Sequence, residues 1–413
     1  NDATVGNNST DSSYQLTLSS LNLNGKKLSL GAGAVSVGIR NIPSGNIDVN
    51  SGGTLYSQNG GSLTSVSGTI TVNTGGKMET RDTDNTAMTS VHTIALNGGQ
   101  LGTATINNNN GGGGGTILKN PVTVDSVNGG TLNGNNTGFG IYLRLAGSLS
   151  GSGALTLTGG KGVEFQGDVS GYTGTATANN GTVSFNGSAD QTFNGVLAGT
   201  RPLAKNGSKI LTLTGNNTFS GATTVSAGAL VGVTSGSFSN SAVTVATGAT
   251  NGVQVLTTGG QWACASLTCG SSSADMTFMD FNYGSTAPST TTAPLQLLGN
   301  LALNARVGII VRGSGFTATG TYSLIKYTGT LSGTVPTAAW SLPNGMVASI
   351  SNNTGAKSID LVVTSLSSLT SIWSVNSGVW DINTTANWTN AAGSSVNYID
   401  GNSAVFNSPA ASS

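Results

Sequence analysis

If this chain hydrolysed glycosides, its acidic residues would carry the reaction, because that chemistry needs two carboxyl groups about 5–10 Å apart. The chain has 15 Asp and Glu among 413 residues, and most of them are isolated in the sequence. Two groups are close along the chain: Glu79 with Asp82 and Asp84, and Asp275 with Asp280. The odd separation of the second pair places its carboxylates on opposite faces of a strand, so we do not expect them to share a site.

The densest polar stretch runs from Glu79 to Asn85 and includes Arg81. Its side-chain oxygens could hold Ca²⁺, but the stretch lacks the fixed glycine and the final glutamate of an EF-hand loop. A solvated loop with a local ion pair to Arg81 explains the same residues, and such pairs add little stability. We therefore predict no metal site and no cofactor.

His92 is the only histidine, so it would have to be the base of any Ser-His-Asp arrangement. Strict alternation places it on the same face as Ile94 and Leu96, at the start of a strand. We predict a histidine at the rim of the core. The glycine run at 111–115 is not followed by the Lys-Ser or Lys-Thr of a phosphate loop. We predict no catalytic residue and no enzyme activity.

Cys264 and Cys269 are the only cysteines, and they are five residues apart. In an oxidising compartment they could close a small loop through a disulfide. They could equally be two buried thiols, and the sequence leaves both possibilities open. Two cysteines are too few for a zinc ribbon.

The charge composition excludes several classes of partner. Only 7% of the residues are charged, against about 25% in an average soluble domain. The 15 Lys and Arg balance the 15 Asp and Glu, so no basic field attracts nucleic acid. No apolar run approaches the ~20 residues that a membrane-spanning helix needs. We predict no nucleic-acid partner and no membrane-spanning segment.

Short alternating triplets are the elements that would position all of these residues. Examples are Ile47-Asp-Val49, Ile70-Thr-Val72, Val122-Thr-Val124, Leu155-Thr-Leu157 and Leu211-Thr-Leu213. Each points two apolar side chains to one face, and glycine, 63 residues in all, supplies the turns between them. Strands this short bury a core only when coils stack. The pattern predicts an all-β solenoid with almost no α-helix, in about 16–20 coils of roughly 20–25 residues.

Two segments align with each other at an offset of 47 residues: 171–183 and 218–230, with Tyr172 matching Phe219. Each follows a Leu-Thr-Leu-Thr-Gly phrase. The second copy, from Leu211 onward, closely resembles the autotransporter-associated β-strand repeat of bacterial passenger domains and large surface proteins. The first copy lacks the Asn-Thr-aromatic phrase and is degenerate.

This resemblance implies a right-handed parallel β-helix that is secreted by a Gram-negative-type bacterium and displayed on the cell surface or released. It implies an adhesive or scaffold role, with a surface glycan or a host receptor as possible partner. We divide the chain into a β-helix over 1–365, with the degenerate repeat near 145–185 and the clear repeat at 203–232, and a Trp-rich terminal segment over 366–413.

The Trp-rich segment resembles the start of a fresh β-helical module in long tandem surface proteins. It either caps the last coil or begins a module that a second copy, head to tail, or a further module of the same chain would continue. The residues that we assign to this role are Trp373, Trp380, Trp388, Phe406, Leu16 and Leu18.

Three functional hypotheses follow. The leading one is a non-catalytic extracellular structural or adhesive rod that can assemble head to tail into a fibre or tandem array. A polysaccharide-active β-helix enzyme would instead need three or more charged side chains converging in a groove, where acids from neighbouring coils could meet. A glycan-binding rod would show a row of exposed aromatic residues such as Tyr142, Tyr283 and Tyr322.

Overall fold

The computed structural model describes residues 3–5, 15–18, 28–30, 35–39, 46–58, 68–81, 87–88, 92–103, 117–134, 142–366, 370–373, 385–389, 395–398 and 403–406. These ranges contain 42 strands and no helix. The strands pair into five sheets, and nearly all pairs along the rod are parallel. The predicted all-β solenoid is confirmed.

Sheets 1 and 2 form two sides of the first part of the rod. Sheet 1 contains β1 (Ala3–Val5), β3 (Leu28–Leu30), β5 (Ile47–Val49), β7 (Thr69–Asn73), β10 (Thr93–Asn97), β13 (Val122–Val124), β16 (Leu149–Gly151) and β19 (Gly171–Tyr172). Sheet 2 contains β2 (Gln15–Leu18), β4 (Val35–Ile39), β6 (Gly53–Gln58), β8 (Lys77–Arg81), β11 (Gln100–Thr103), β14 (Gly130–Asn133), β17 (Leu155–Thr158), β20 (Thr175–Ala178) and β23 (Val196–Gly199).

Sheet 3 extends furthest along the chain, and sheet 4 belongs to the second part of the rod. Sheet 3 contains β9 (Ala87–Met88), β12 (Ile117–Leu118), β15 (Leu143–Leu145), β18 (Gly162–Phe165), β21 (Thr182–Phe185), β24 (Leu203–Lys205), β26 (Thr223–Val225), β28 (Phe238–Val245), β30 (Trp262–Cys269), β32 (Leu295–Leu297), β33 (Leu301–Leu303), β35 (Gly320–Tyr327), β36 (Leu331–Gly333), β37 (Met346–Asn353) and β38 (Ser358–Leu366). Sheet 4 contains β22 (Gln191–Phe193), β25 (Ile210–Leu213), β27 (Ala229–Val233), β29 (Thr250–Gln254), β31 (Met276–Asn282) and β34 (Arg306–Arg312).

The core follows directly from the alternating triplets. In β5, Ile47 and Val49 are fully buried while Asp48 between them is not. Parallel pairing then stacks like residues along the rod axis: Ile47 pairs with Ile70, and Ile70 with Ile94. One coil alone cannot bury its apolar face, so the stacking of neighbouring coils supplies the stability.

The coils vary in length more than the sequence predicted. Val183 pairs with Leu203, twenty residues later, but Leu267 pairs with Leu301, thirty-four residues later. Sheet 4 continues sheet 1 on the same side, because Tyr172 packs against Phe193 with ring centroids 5.7 Å apart. The eight strands of sheet 1 and the six of sheet 4 give fourteen described coils. The described ranges therefore hold fewer coils than the 16–20 that were predicted, because the longer loops use up residues.

An asparagine ladder runs along the corner that follows sheet 1. The side-chain amide of Asn73 donates to Asn50 at 2.8 Å, that of Asn97 to Asn73 at 2.7 Å, and that of Asn128 to Asn97 at 2.7 Å. Gly98, with φ of +81°, turns the chain at this corner, a conformation that costs glycine little. The ladder holds four consecutive coils in register.

The two aligned sequence copies do not stack on each other. Strand β20 of the first copy lies in sheet 2, whereas its sequence equivalent β26 lies in sheet 3; β21 and β27 differ in the same way. Two coils of about twenty residues each and a third of another coil add up to the offset of 47 residues. Each strand of the second copy therefore lies one sheet further around the rod than its equivalent in the first copy.

The parallel stack ends in an antiparallel hairpin. Strand β38 pairs antiparallel with β35 and with β37. Sheet 5 follows and contains β39 (Thr370–Trp373), β40 (Trp388–Thr389), β41 (Ser395–Val396) and β42 (Ser403–Val405). Strand β42 pairs in parallel with β39, thirty-three residues earlier, which is the arrangement of a coil.

Candidate functional site

The coil at the clear repeat is built from β24, β25, β26 and β27. It contributes a set of fully buried apolar side chains to the core: Leu203, Leu211, Leu213, Phe219, Val225 and Leu230. Strand β25 pairs with β22 below and β27 above, so the repeat is an internal coil of the stack.

Asn217 closes the end of sheet 2, whose last strand is β23. The Leu197 N–H donates to Asn217 Oδ1 at 2.8 Å. The Leu197 carbonyl accepts from the N–H groups of Thr218 and Phe219 at 3.0 and 3.1 Å. Asn217 Nδ2 donates to the Gly215 carbonyl at 2.8 Å. The Asn-Thr-aromatic phrase of the repeat therefore satisfies the backbone groups of a sheet edge.

A stack of aromatic rings continues from the repeat along the core. The Phe219 and Phe238 rings are parallel within 2° with centroids 5.8 Å apart, and Trp262 stacks on Phe238 at 5.9 Å. Gly232 makes room for Trp262, because a Cβ at this glycine would lie 2.0 Å from the indole Cε2.

Lys205 occupies a core position in the same coil. It pairs with Phe185 and Val225 in the strands on either side, and only 1% of its surface is exposed. Its ammonium donates to the carbonyls of Gly207 and Ala227. Burial lowers the pKa of Lys205 from 10.5 to about 8, because an apolar surrounding disfavours the charged form.

His92 directly precedes β10 and is fully buried on the face of Ile94 and Leu96, so its predicted strand-end position on the core face is confirmed. The side-chain amide of Asn120 donates to its carbonyl at 2.9 Å. Throughout the described ranges, no three His, Cys, Asp or Glu side chains gather closely enough to hold a metal ion. Those ranges also lack any helix with the length and apolar character to cross a membrane.

Cys264 and Cys269 are both fully buried and both free thiols. The disulfide that the sequence left open is not formed. Both residues lie in the single strand β30, where five extended residues span ~16 Å, and a disulfide requires Cα atoms within about 7 Å. Burial raises the pKa of both thiols, that of Cys269 to about 12.

Several carboxylates serve as turn caps. Asp125 accepts from the backbone N–H groups of Asn128 and Val127 at 2.8 and 3.0 Å, and Asp168 accepts from that of Ser170 at 2.9 Å. These backbone donors lower the pKa of both carboxyl groups, since they stabilise the ionised form. These carboxylates remain ionised, and their oxygens are engaged in hydrogen bonds to backbone N–H groups of the turn.

Asp275 and Asp280 have separate partners. Asp275 lies in a turn, and hydrogen bonds from the Thr247 side chain and the Ser271 N–H hold its carboxyl pKa well below the usual range. Asp280 points outward from β31 and forms an ion pair with Arg312 on the next coil, with Oδ2 2.9 Å from Nη2. Burial raises the Asp280 pKa against the opposing effect of Arg312.

Besides the Asp280–Arg312 ion pair, a cluster of polar side chains around Glu164 lies on the outer face of sheet 3. Glu164 is 2.7 Å from the Gln166 amide, 3.3 Å from the Ser184 hydroxyl and 3.3 Å from Arg144 Nε. The Asn206 amide donates to the Ser184 hydroxyl at 3.1 Å. This group ties together neighbouring coils and holds one carboxylate beside one cation.

The polar stretch that was weighed as a Ca²⁺ site is only partly covered by the described residues. Glu79 lies in β8, whereas Asp82, Asp84 and Asn85 lie outside the described residues. The glycine run at 111–115 also lies outside them.

The row of exposed tyrosines that a glycan-binding rod would show does not form. Tyr283 and Tyr322 are buried, because Phe316 packs between them with ring centroids 4.9 and 5.4 Å away. Only Tyr142 is partly exposed, with the Lys161 ammonium 5.3 Å from its ring centroid. These three side chains therefore offer no aromatic track for a glycan.

The Trp-rich segment has its own aromatic cluster. Trp388 is buried, with the ring centroids of Trp373, Tyr398 and Phe406 at 5.0, 5.1 and 5.4 Å. Phe406 remains 56% exposed. Among the described strands, β39 to β42 pair only with one another.

The other residues assigned to the ends are less fully described. Trp380 lies outside the described residues, and Leu16 and Leu18 are described through the backbone of β2. The role of all six residues as cap or assembly surface stays a prediction.

Three residues of interest were missed by the sequence reasoning. Lys205 is the third residue of the triplet Leu203-Ala204-Lys205, so alternation alone would have placed its side chain in the core. Asn251 is buried in the core, and neither its Oδ1 nor its Nδ2 has a hydrogen-bond partner among the described residues. Trp340 is 64% exposed, and no pattern around it in the sequence indicated this.

Coils of parallel strands stacked along one axis define a parallel β-solenoid. Within it, residues 203–231 match the family model of the passenger-associated-transport-repeat, which confirms the resemblance of this coil to the repeats of autotransporter passengers. The chain has no significant match among curated proteins or among solved structures.

Proposed function

We propose that this chain is a non-catalytic extracellular rod with a structural or adhesive role on a Gram-negative bacterial surface. The observation that carries the proposal is the position of the matched repeat, which lies inside a continuous stack of parallel strands. This repeat is associated with passenger-type rods that are secreted or surface-displayed. A solenoid whose coils contact only their neighbours is suited to an extended reach from a surface.

The roles of the acidic residues support the non-catalytic part. Glycoside hydrolysis needs two carboxyl groups that are free to exchange a proton or attack a sugar. Many of the described carboxylates instead accept a backbone N–H or pair with an arginine: Asp125, Asp168, Asp190, Asp275, Glu164 and Asp280.

An activity screen separates this proposal from a polysaccharide-active enzyme. The purified chain is incubated with neutral and acidic polysaccharides, and new reducing ends and unsaturated uronates are measured. We expect no release above a boiled-protein control. Release that a Glu164→Gln variant abolishes would contradict the proposal, because Glu164 lies beside Arg144 and is more buried than Asp280 beside Arg312.

Head-to-tail assembly is the second part of the proposal. Strands β1 and β2 are the first strands of sheets 1 and 2, and β42 is an outer strand of sheet 5. Unpaired strand edges are templates for a further strand, supplied either by a second copy or by a further module of the same chain. Leu16 and Leu18 would then pack against Trp373, Trp380, Trp388 and Phe406.

Sedimentation velocity over a wide concentration range tests this second part. We expect mass to increase with concentration for the native chain and not for a Leu16→Asp, Leu18→Asp double variant. A native chain that remains monomeric throughout would contradict assembly of copies, without affecting the proposal of a rod.

A further inference from the structure

An exposed tryptophan is held in a fixed position near the C-terminal end of the rod. Trp340 is 64% exposed. Its ring meets the Phe278 ring edge to face, with centroids 5.6 Å apart and an angle of 74°. Its backbone N–H donates to the Ile309 carbonyl at 2.7 Å. The indole is therefore positioned by both backbone and packing, while much of its surface remains open to solvent.

The surface around Trp340 is the outer face of sheet 4. In β31, Thr277 and Met279 are buried, so Phe278 and Asp280 point outward. Gly308 pairs with Phe278 on the next strand, and a Cβ there would lie 2.8 Å from Phe278 Cδ1. The Phe278 ring thus lies against bare backbone and gives the face a broad apolar floor.

Charged groups flank this floor on both sides along β34. Arg312 at one end of the strand forms a two-point ion pair with Asp280, at 2.9 Å from Nη2 and 3.1 Å from Nε. Arg306 is exposed at the other end, and no ion pair joins it to another described residue. Among the side chains that point outward from β31 and β34, Arg306, Arg312 and Asp280 sum to one positive charge, on a chain whose formal net charge is zero.

We propose that this face binds a saccharide chain that carries carboxylate groups. The apolar C–H face of a pyranose would pack on Trp340 and Phe278, as an aromatic surface with a polar rim favours. The Arg306 guanidinium would take the carboxylate through two parallel hydrogen bonds, and the Asp280–Arg312 pair would bind hydroxyl groups. The inference rests on the adhesive part of the proposed function and is independent of assembly.

Calorimetric titration with hyaluronan oligosaccharides tests the inference, with the same oligosaccharides after carboxyl reduction as a neutral probe. We expect the native chain to bind the acidic probe more tightly than the neutral one. Trp340→Ala should weaken the binding of both probes at least about tenfold, as expected for a central aromatic contact. Arg306→Gln should remove the preference for the acidic probe and leave the binding of the neutral probe unchanged.

Two control variants separate these effects from general changes. Arg201→Gln removes an exposed arginine elsewhere on the rod, and Leu298→Ala removes an apolar side chain that is 53% exposed; both should bind both probes like the native chain. Thermal unfolding should be the same for all variants.

Three outcomes would overturn the inference. They are no binding of either probe by the native chain, unchanged binding by Trp340→Ala, and self-association that Trp340→Ala abolishes in the absence of saccharide. The last would make this face a contact between copies. None of these outcomes would affect the proposal of a rod.

Discussion

Lys205 shows how one residue can depart from its surroundings inside a stacked core. Its stem lies between Phe185 and Val225, where a lysine can bury its methylene groups. The ammonium group loses its hydration, and this burial lowers the pKa of Lys205 to about 8. Between about pH 8 and the usual 10.5, the unfolded chain binds more protons than the folded one, so the free energy of unfolding rises with pH in that window.

The first prediction concerns this pH dependence. Lys205→Met should remove a rise in unfolding free energy of at most about 1.4 kcal/mol per pH unit between pH 8 and 10.5. Chemical denaturation across that range measures it. Lys209→Met, which removes an exposed lysine of the same repeat, should keep the native slope. Parallel slopes for the native chain and Lys205→Met would contradict the burial of a titrating amine.

The second prediction compares two asparagines that are each 1% exposed. Asn251 pairs with Leu230 and Met279 in the neighbouring strands, and its amide has no partner among the described residues. Asn251→Leu should raise the free energy of unfolding by about 1–3 kcal/mol, since a buried unpaired polar group is costly. Asn217→Leu should lower it, because it breaks the contacts to Leu197 and Gly215. Destabilisation by both substitutions would show that the Asn251 amide is satisfied.

The sequence could predict residue positions wherever alternation is regular. His92 lies where alternation placed it, and the same rule applied to Leu203-Ala-Lys205 indicates a core lysine. Trp340 could not be predicted, because it reaches Phe278 through a loop that follows no period. Tyr283 and Tyr322 were named only as residues that a glycan-binding rod would expose, and both are buried, with Phe316 packed between them.

At the scale of elements, close packing between coils depends on glycines in the strands. Gly232 in β27 faces the Trp262 ring, whereas Gly252 in β29 would place a Cβ 3.0 Å from the Val231 Cγ2 and 3.4 Å from the Asp280 carbonyl oxygen. The two positions differ mainly in what a methyl group would meet.

The third prediction follows from this difference. Gly232→Ala should lower the free energy of unfolding by about 2–3 kcal/mol, because the methyl group overlaps a fully buried indole. Gly252→Ala, the matched control, should change it by less than about 1 kcal/mol. Thermal or urea unfolding measures both. Equal effects would contradict the stacking of Trp262 over Gly232.

Individual strands were predictable, but their assignment to sheets was not. The triplets at 155–157 and 211–213 are both strands, yet the first lies in sheet 2 and the second in sheet 4. Coil length decides the side of the rod on which a triplet falls, and it is nineteen residues from β25 to β27 but thirty-four from β30 to β33. Loops between strands leave no periodic signal, so the sequence could not fix this length.

At the scale of the whole molecule, the chain forms one rod with a specific repeat in its middle and different structures along its length. The asparagine ladder lies in the first part, and the aromatic stack and Lys205 lie around the matched repeat. The antiparallel hairpin of β37 and β38 ends the parallel stack. Fourteen described coils at ~4.8 Å each correspond to a rod of roughly 65 Å, before the hairpin and sheet 5 are added.

Electron microscopy of the purified chain is the sharpest test of a continuous stacked rod. We expect particles with one long axis and a stacked region of roughly 65 Å, either single or joined end to end. Packed β-sandwiches are the alternative that short strands also allow. Particles made of two or three separate globular bodies, with no continuous long axis, would contradict the stacked rod.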